Sequence, residues 1–241
     1  TTATAEEVGP YYNEANPLSD LRVRKAIAYA IDMDTLAETV LEDAVIVADS
    51  NIPNGPWKVS GLEKYSYDPD RARQLLKDAN WDPNRELDLV FYYGDQTTID
   101  LMTAIQSYLA DVGVKMSFRK LEGDVAGQLN TLPADPVAGP SGVAYDLGYG
   151  ARAALALQEY YNYFKTGQNP RVPGNAEVDT LVDAINGTSD VAKQRDAFFE
   201  IEEFMSENLP SLPLYYQQLF IYESTRVNRN GGIYGNEQYN Y

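Results

Sequence analysis

Residues 86–121, ELDLVFYYGDQTTIDLMTAIQSYLADVGVKMSFRKL, decide the fold. ELDLVFYYG (86–94) sets Leu87, Leu89, Phe91 and Tyr93 on one side, the two-residue period of a strand. Thr97 to Asp111 changes to the helical period, with Ile99, Met102, Ile105 and Leu109 as its apolar stripe. VKMSFRKL (114–121) alternates again through Val114, Met116 and Phe118. Strand, helix and strand at this spacing predict a right-handed βαβ unit with parallel strands, since parallel neighbours need a crossover of about a dozen residues or more.

On the N-terminal side, Asp68 followed by Pro69 predicts a helix start, a side-chain acceptor at the cap and then proline in the first turn. Ala72, Leu75, Leu76 and Ala79 form its apolar face, and Asn80 is expected to end it. Further upstream, PLSDLRVRKAIAYAID (17–32) opens with Pro17 and Asp20 and continues through Val23, Ile27, Ala30 and Ile31 at helical spacing. Arg22 and Arg24 are expected to pair with acids such as Asp20. A second short helix spans Asp34 to Leu41, and NIPNGPWKVSGLEKY (51–65) reads as a loop.

On the C-terminal side, TLPADPVAGPSG (131–142) reads as a surface loop. Tyr145 to Tyr149 predict a short buried strand running into a turn at Gly148 and Gly150. Two helices follow, one carrying Val178, Leu181, Val182 and Ile185, the other Phe198, Ile201, Phe204 and Met205. Pro210 stops the second, and LPLYYQQLFIYES (212–224) reads as a strand. The class is α/β, with βαβ units and a mixed sheet flanked by helices.

Composition removes much chemistry. The 241 residues contain no cysteine and no histidine, so thiolate chemistry, disulfides, His-bearing zinc sites and Ser-His-Asp triads are excluded for this chain. A hydrophobic content of 44% with 23% charged residues is that of a globular chain rather than a disordered one. The net charge of −17 argues against nucleic acid and anionic lipid as partners. Tyrosine, at 19 residues against 7 Phe and 2 Trp, offers rings with hydroxyls for a ligand of mixed polarity, although it also suits half-buried strands.

LRVRKAIAYAID (21–32), KYSYDPDRARQLLKDANW (64–81) and LPSLPLYY (209–216) together resemble the extracellular solute-binding proteins of family 5, the peptide-, nickel- and sugar-binding receptors of ABC importers. The middle segment carries Tyr65, Tyr67, Asp68, Pro69, Ala72, Leu75, Leu76, Ala79 and Trp81 in the family's order, and the resemblance runs from about Asn16 to about Tyr222. It implies a lobe of the type II periplasmic-binding-protein fold. Residues 1–15 are then a lead-in or hinge, 16–222 the second-lobe ligand-binding domain, and 223–241 a tail returning towards a first lobe. Family members are longer, so the chain is expected to be a fragment. TTATAEEVGP lacks the basic start and apolar stretch of a signal peptide, so any export signal or lipid-bearing cysteine is expected upstream of Thr1.

The resemblance further implies an extracytoplasmic, periplasmic or lipid-anchored monomer without cofactor, metal or catalytic residues. Its partners would be a small solute, with peptide expected first, and a membrane permease. Within YDLGYGARAALALQEYY (145–161), Gly148 and Gly150 let a ligand approach the backbone, Tyr149 offers a stacking face, and Arg152 offers a fork for a carboxylate. Arg152 or Tyr149 stands where the family often has tryptophan. Asn54 and Trp57 are loop candidates, with core packing as the other reading of Trp57, and Tyr12 and Asn13 are candidates at the entry of the chain. Two other functions are weighed: a carbohydrate hydrolase using paired carboxylates (Asp32 with Asp34, Asp68 with Asp70, Glu202 with Glu203), and a surface adhesion or signalling module.

Overall fold

A computed structural model describes residues 16–53, 55, 57–130, 145–151, 161–169, 174–218 and 226. After a single 3-10 turn at Pro17–Ser19, the elements are α1 (Leu21–Ala30), α2 (Met33–Thr39), β1 (Val45–Val47), α3 (Pro69–Asp78), β2 (Glu86–Phe91), α4 (Gln96–Asp111), β3 (Lys115–Lys120), α5 (Val125–Asn130), β4 (Leu147–Gly148), α6 (Ala176–Asn186), α7 (Val191–Asn208) and β5 (Tyr215–Gln217).

Five of the 36 acidic residues serve helix starts. The side chains of Asp20, Asp32, Asp68, Asp95 and Asp190 each accept a backbone N–H in the first turn of α1, α2, α3, α4 and α7, and Asn175 does so for α6. These acceptors satisfy donors that a helix leaves unpaired, and the negative charge suits the positive end of the helix dipole. Helix α3 stops near the expected place, its cap at Ala79 and Asn80 at φ 54° in the left-handed region that asparagine tolerates.

The βαβ unit forms as its sequence predicts. Strand β2 pairs in parallel with β3, from Glu86 opposite Lys115 to Phe91 opposite Lys120, with α4 as the crossover. On its other edge β2 pairs in parallel with β4, Leu89 opposite Leu147 and Val90 opposite Gly148. Strands β1 and β5 form a separate antiparallel ribbon, Val45 opposite Gln217 and Val47 opposite Tyr215. Parallel and antiparallel pairing are thus segregated into two sheets.

Two apolar cores support these elements. The first joins α1 (Val23, Ala26, Ile27), α3 (Ala72, Leu76), β2 (Leu87, Leu89, Phe91), β3 (Met116) and α4 (Leu101, Met102, Ile105, Leu109). The second joins α6 (Val178, Val182, Ile185) and α7 (Phe198, Ile201, Met205) with Tyr161, Phe164 and Ile52. Among the described residues, no helix is long and apolar enough to cross a membrane.

Several expectations need correction. Ile99 is 36% exposed, and the inward face of α4 is instead Thr98, Leu101, Met102, Ile105 and Leu109. The cause is the cap: Thr98 turns inward to bond Asp95 through both its N–H and its hydroxyl, which rotates Ile99 outward. Strand β2 ends at Phe91, two residues before Tyr93. Leu147 in β4 is half-buried and Gly148 exposed, not buried as expected, because among the described residues β4 has a partner on one edge alone. The loop expected at 131–142 lies outside the described residues, as does the end of the 212–224 strand; its described part is the three-residue β5.

Arg22 pairs with Asp20 as expected, but among the described residues Arg24 has no ion pair with an acid. Its guanidinium donates to the carbonyls of Asn208 (2.7 and 3.0 Å), Leu18 (2.8 Å) and Ser19 (2.9 Å). A cation at the carbonyl end of α7 is favourable both as a donor and against the helix dipole. It also ties α1, in the first core, to α7, in the second.

Two stability predictions follow from this packing. Leu101→Ala, at a fully buried position, is expected to cost about 2–5 kcal/mol in urea unfolding. Arg24→Ala leaves the Asn208 carbonyl without its cation and is expected to cost about 1–3 kcal/mol, whereas Arg22→Ala breaks an exposed pair and should change far less.

Candidate ligand-binding site

With strand order β3-β2-β4, the chain leaves β2 to one side through α4 and later returns to its other side as β4. The described residues that follow β2 and β4 therefore lie side by side at the carboxyl end of the sheet. Open parallel sheets bind ligands outside the carboxyl ends of their strands. The residues at this place are Tyr92, Tyr93, Gly94 and Asp95 after β2, and Tyr149, Gly150 and Ala151 after β4.

Tyrosine contacts dominate the site. The rings of Tyr92 and Tyr93 lie 4.4 Å apart, with their hydroxyls 3.1 Å apart. Tyr93 meets Tyr149 edge-on at 6.2 Å, and the Tyr93 hydroxyl oxygen accepts the N–H of Ala151 at 2.9 Å. The Tyr149 N–H donates to the Val90 carbonyl at 2.8 Å, and its hydroxyl lies 2.5 Å from that of Tyr215 on β5. Burial, then the contact with Tyr215, raises the Tyr149 phenol well above its ordinary value; burial with the Tyr93 hydroxyl pushes Tyr92 up to about 12. At neutral pH these phenols are hydrogen-bonding groups and not bases. Asp95 lies below its ordinary value because its carboxylate accepts the backbone N–H of Thr98, so this acid stays ionised as the cap of α4.

Of the residues singled out in the sequence, Gly148, Tyr149 and Gly150 sit together at this end of the sheet. Trp57 is half-buried elsewhere: its ring meets Phe198 edge-on at 5.2 Å, Arg195 lies 5.7 Å from its centroid, and it packs on the second core. Arg152, Asn54, Tyr12 and Asn13 lie outside the described residues. Tyr92, Tyr93 and Tyr215 escaped sequence reasoning. The signal for the first two was the pair of tyrosines before Gly94, which strand alternation had absorbed into β2.

The carboxylate pairs have structural employment. Asp32 and Asp68 cap helices, and Asp70 pairs with Arg73 at 2.7 Å. Glu202, 1% exposed, accepts the Tyr161 hydroxyl at 2.5 Å and the Asn51 N–H at 3.0 Å, and burial raises its pKa. Its neighbour Glu203 is exposed, so the two do not face one another. Among the described residues, no group of three or more acidic side chains is placed to hold a metal ion.

Comparison with known proteins agrees with this architecture. The family model for bacterial extracellular solute-binding proteins, family 5 Middle, matches residues 5–169. A putative ABC transporter peptide-binding protein of Brucella ovis is 31% identical over 121 residues, which are 46% of this chain and 22% of that relative. The solved oligopeptide-binding protein AppA of Bacillus subtilis, in complex with a nonapeptide, superposes with a TM-score of 0.70 at 23% identity, covering 86% of this chain and 44% of that one. NikA of Staphylococcus aureus, in complex with Ni(L-His)2, gives 0.72 at 19%, with the same shares. The chain thus spans less than half the length of these proteins, and the structural likenesses are likenesses of fold.

Removing the cap at the start of α4 gives a pH-dependent prediction. Asp95→Ala is expected to lower stability at pH 7 by about 0.5–2 kcal/mol. Because the native carboxyl is held below its ordinary 3.8, its contribution is complete above that pH and is lost as the pH falls through the lower native value. Denaturation of the two proteins at pH 7 and in acid should show the difference shrinking.

Proposed function

This chain belongs to the family 5 bacterial extracellular solute-binding proteins, and from that premise we propose that it is the ligand-binding lobe of an ABC importer's solute receptor. The observation that carries the reading is the meeting of Tyr92, Tyr93 and Tyr149 at the carboxyl ends of β2 and β4, beside the exposed backbone of Gly150. Residues 16–222 act as the second lobe, with 1–15 leading in and 223–241 returning towards the other lobe. A solute held between lobes draws them together, and the closed form is what a membrane permease recognises. The receptor works outside the cytoplasm and performs no catalysis.

The solute is a peptide or a related small molecule. The phenol of Tyr149 offers a hydroxyl and a ring edge together, and the backbone beside Gly150 is open to amide-like partners. Arg152, next in sequence after Ala151, is the candidate for a ligand carboxylate. Peptide binding by the Brucella relative and by the Bacillus protein, as their names state, supports peptide first; nickel–histidine in the Staphylococcus protein is the other solute class to test.

A thermal-shift screen of the complete gene product against tripeptides, maltooligosaccharides and nickel–histidine tests the reading. A captured solute at about 100 times its dissociation constant should stabilise the protein by about 2.7 kcal/mol. No stabilisation by any of these classes would remove the receptor reading.

A further inference from the structure

We propose that Tyr92 and Tyr93 are positioning residues for solute capture, a hydroxyl-linked pair that holds the 149–151 backbone in the form it presents at the carboxyl end of the sheet. The inference rests on the solute-binding reading above and extends it to residues that need not touch the solute.

Strand β4 has two residues, and its pairing with β2 ends at Gly148, with one further backbone bond from the Tyr149 N–H to Val90. Beyond that point the β2 ladder holds nothing, yet Gly150 and Ala151 continue beside Tyr92 and Tyr93. Two contacts take over. The Tyr93 hydroxyl oxygen accepts the Ala151 N–H at 2.9 Å, replacing the carbonyl that a longer strand would supply. The hydroxyl-bearing edge of the Tyr92 ring lies so close to Gly150 that a Cβ there would fall 2.9 Å from its Cε1 and 3.1 Å from its Oη. Any side chain at position 150 must therefore displace the ring.

The two contacts are linked, because the Tyr92 and Tyr93 hydroxyls are 3.1 Å apart and their rings 4.4 Å apart. On the opposite flank the Tyr149 hydroxyl meets that of Tyr215. Both clamp tyrosines are half-buried at the end of the sheet, outside either buried core. Holding the backbone beforehand means that a solute need not bear the entropy of ordering it, and this raises affinity without adding a contact.

The test uses the complete protein with Tyr93→Phe, Gly150→Ala, Tyr92→Ala and the double variant Tyr92→Ala/Gly150→Ala. Backbone amide exchange at Gly150 and Ala151, thermal midpoint and trialanine affinity are read for each. Tyr93→Phe keeps the ring and removes the acceptor; it should speed exchange at Ala151 and weaken trialanine binding, each by about tenfold, with little change in thermal midpoint. Gly150→Ala should act similarly alone and add little once Tyr92 is alanine, since the obstructing ring is gone. Unchanged exchange at Ala151 in Tyr93→Phe overturns the clamp itself. Faster exchange with unchanged trialanine affinity overturns its role in capture. Wild-type protein that binds no trialanine also overturns that role, and it marks the failure as one of the peptide-receptor reading rather than of the clamp.

Discussion

Strand β2 has no free edge, and the rest of the structure is arranged around that constraint. It is paired in parallel on both sides, and Leu87, Leu89, Val90 and Phe91 are all buried. Where a strand is buried and paired on both edges, as β2 is at Leu89 and Val90, its backbone has no water to bond, so each neighbour must arrive in register. Parallel neighbours cannot be reached by a tight turn, which forces α4 over one face between β2 and β3. The same requirement places both outgoing loops at one end of the sheet. The candidate site is therefore a geometric consequence of how the core strand is satisfied.

The two cores are joined by polar contacts placed at chain ends. Arg24 closes the carbonyl end of α7, the Tyr65 hydroxyl donates to Ser206 O at 2.6 Å, and the buried carboxylate of Glu202 receives Asn51 from the loop after β1. Directional bonds of this kind set orientation where an apolar seam would allow sliding. They also account for part of the charge. Acidic residues that first suggest a highly solvated surface are, in many positions, caps and anchors with defined partners.

Of the carboxylates considered for hydrolysis, Asp32 and Asp68 cap helices, Asp70 pairs with Arg73 and Glu202 anchors a loop, while Asp34 and Glu203 are exposed. Burial raises the phenols of Tyr92 and Tyr149, so at neutral pH these two act as hydrogen-bonding groups.

Local chemistry was legible in the sequence: the Asp68–Pro69 helix start, the alternation of β2 and β3, and the helical stripes of α6 and α7 all state their own conformation through periodicity and capping. The fold class followed from the βαβ spacing, and the family from ordered motifs. Gly148, Tyr149 and Gly150 were visible as a glycine-containing turn after a strand. The partners of that turn were not, because Tyr92 and Tyr93 fit strand alternation as well as they fit a loop, and Tyr215 is more than sixty residues away in sequence. Arg24 shows the same limit: its spacing beside Asp20 suggested an ion pair, while its actual partners lie at the far end of α7. The sequence by itself determined which segments are helix and strand and which family they compose, since those depend on neighbours within a few positions. The tertiary structure alone decided which side chains meet at the end of the sheet, since that depends on where β4 and β5 return.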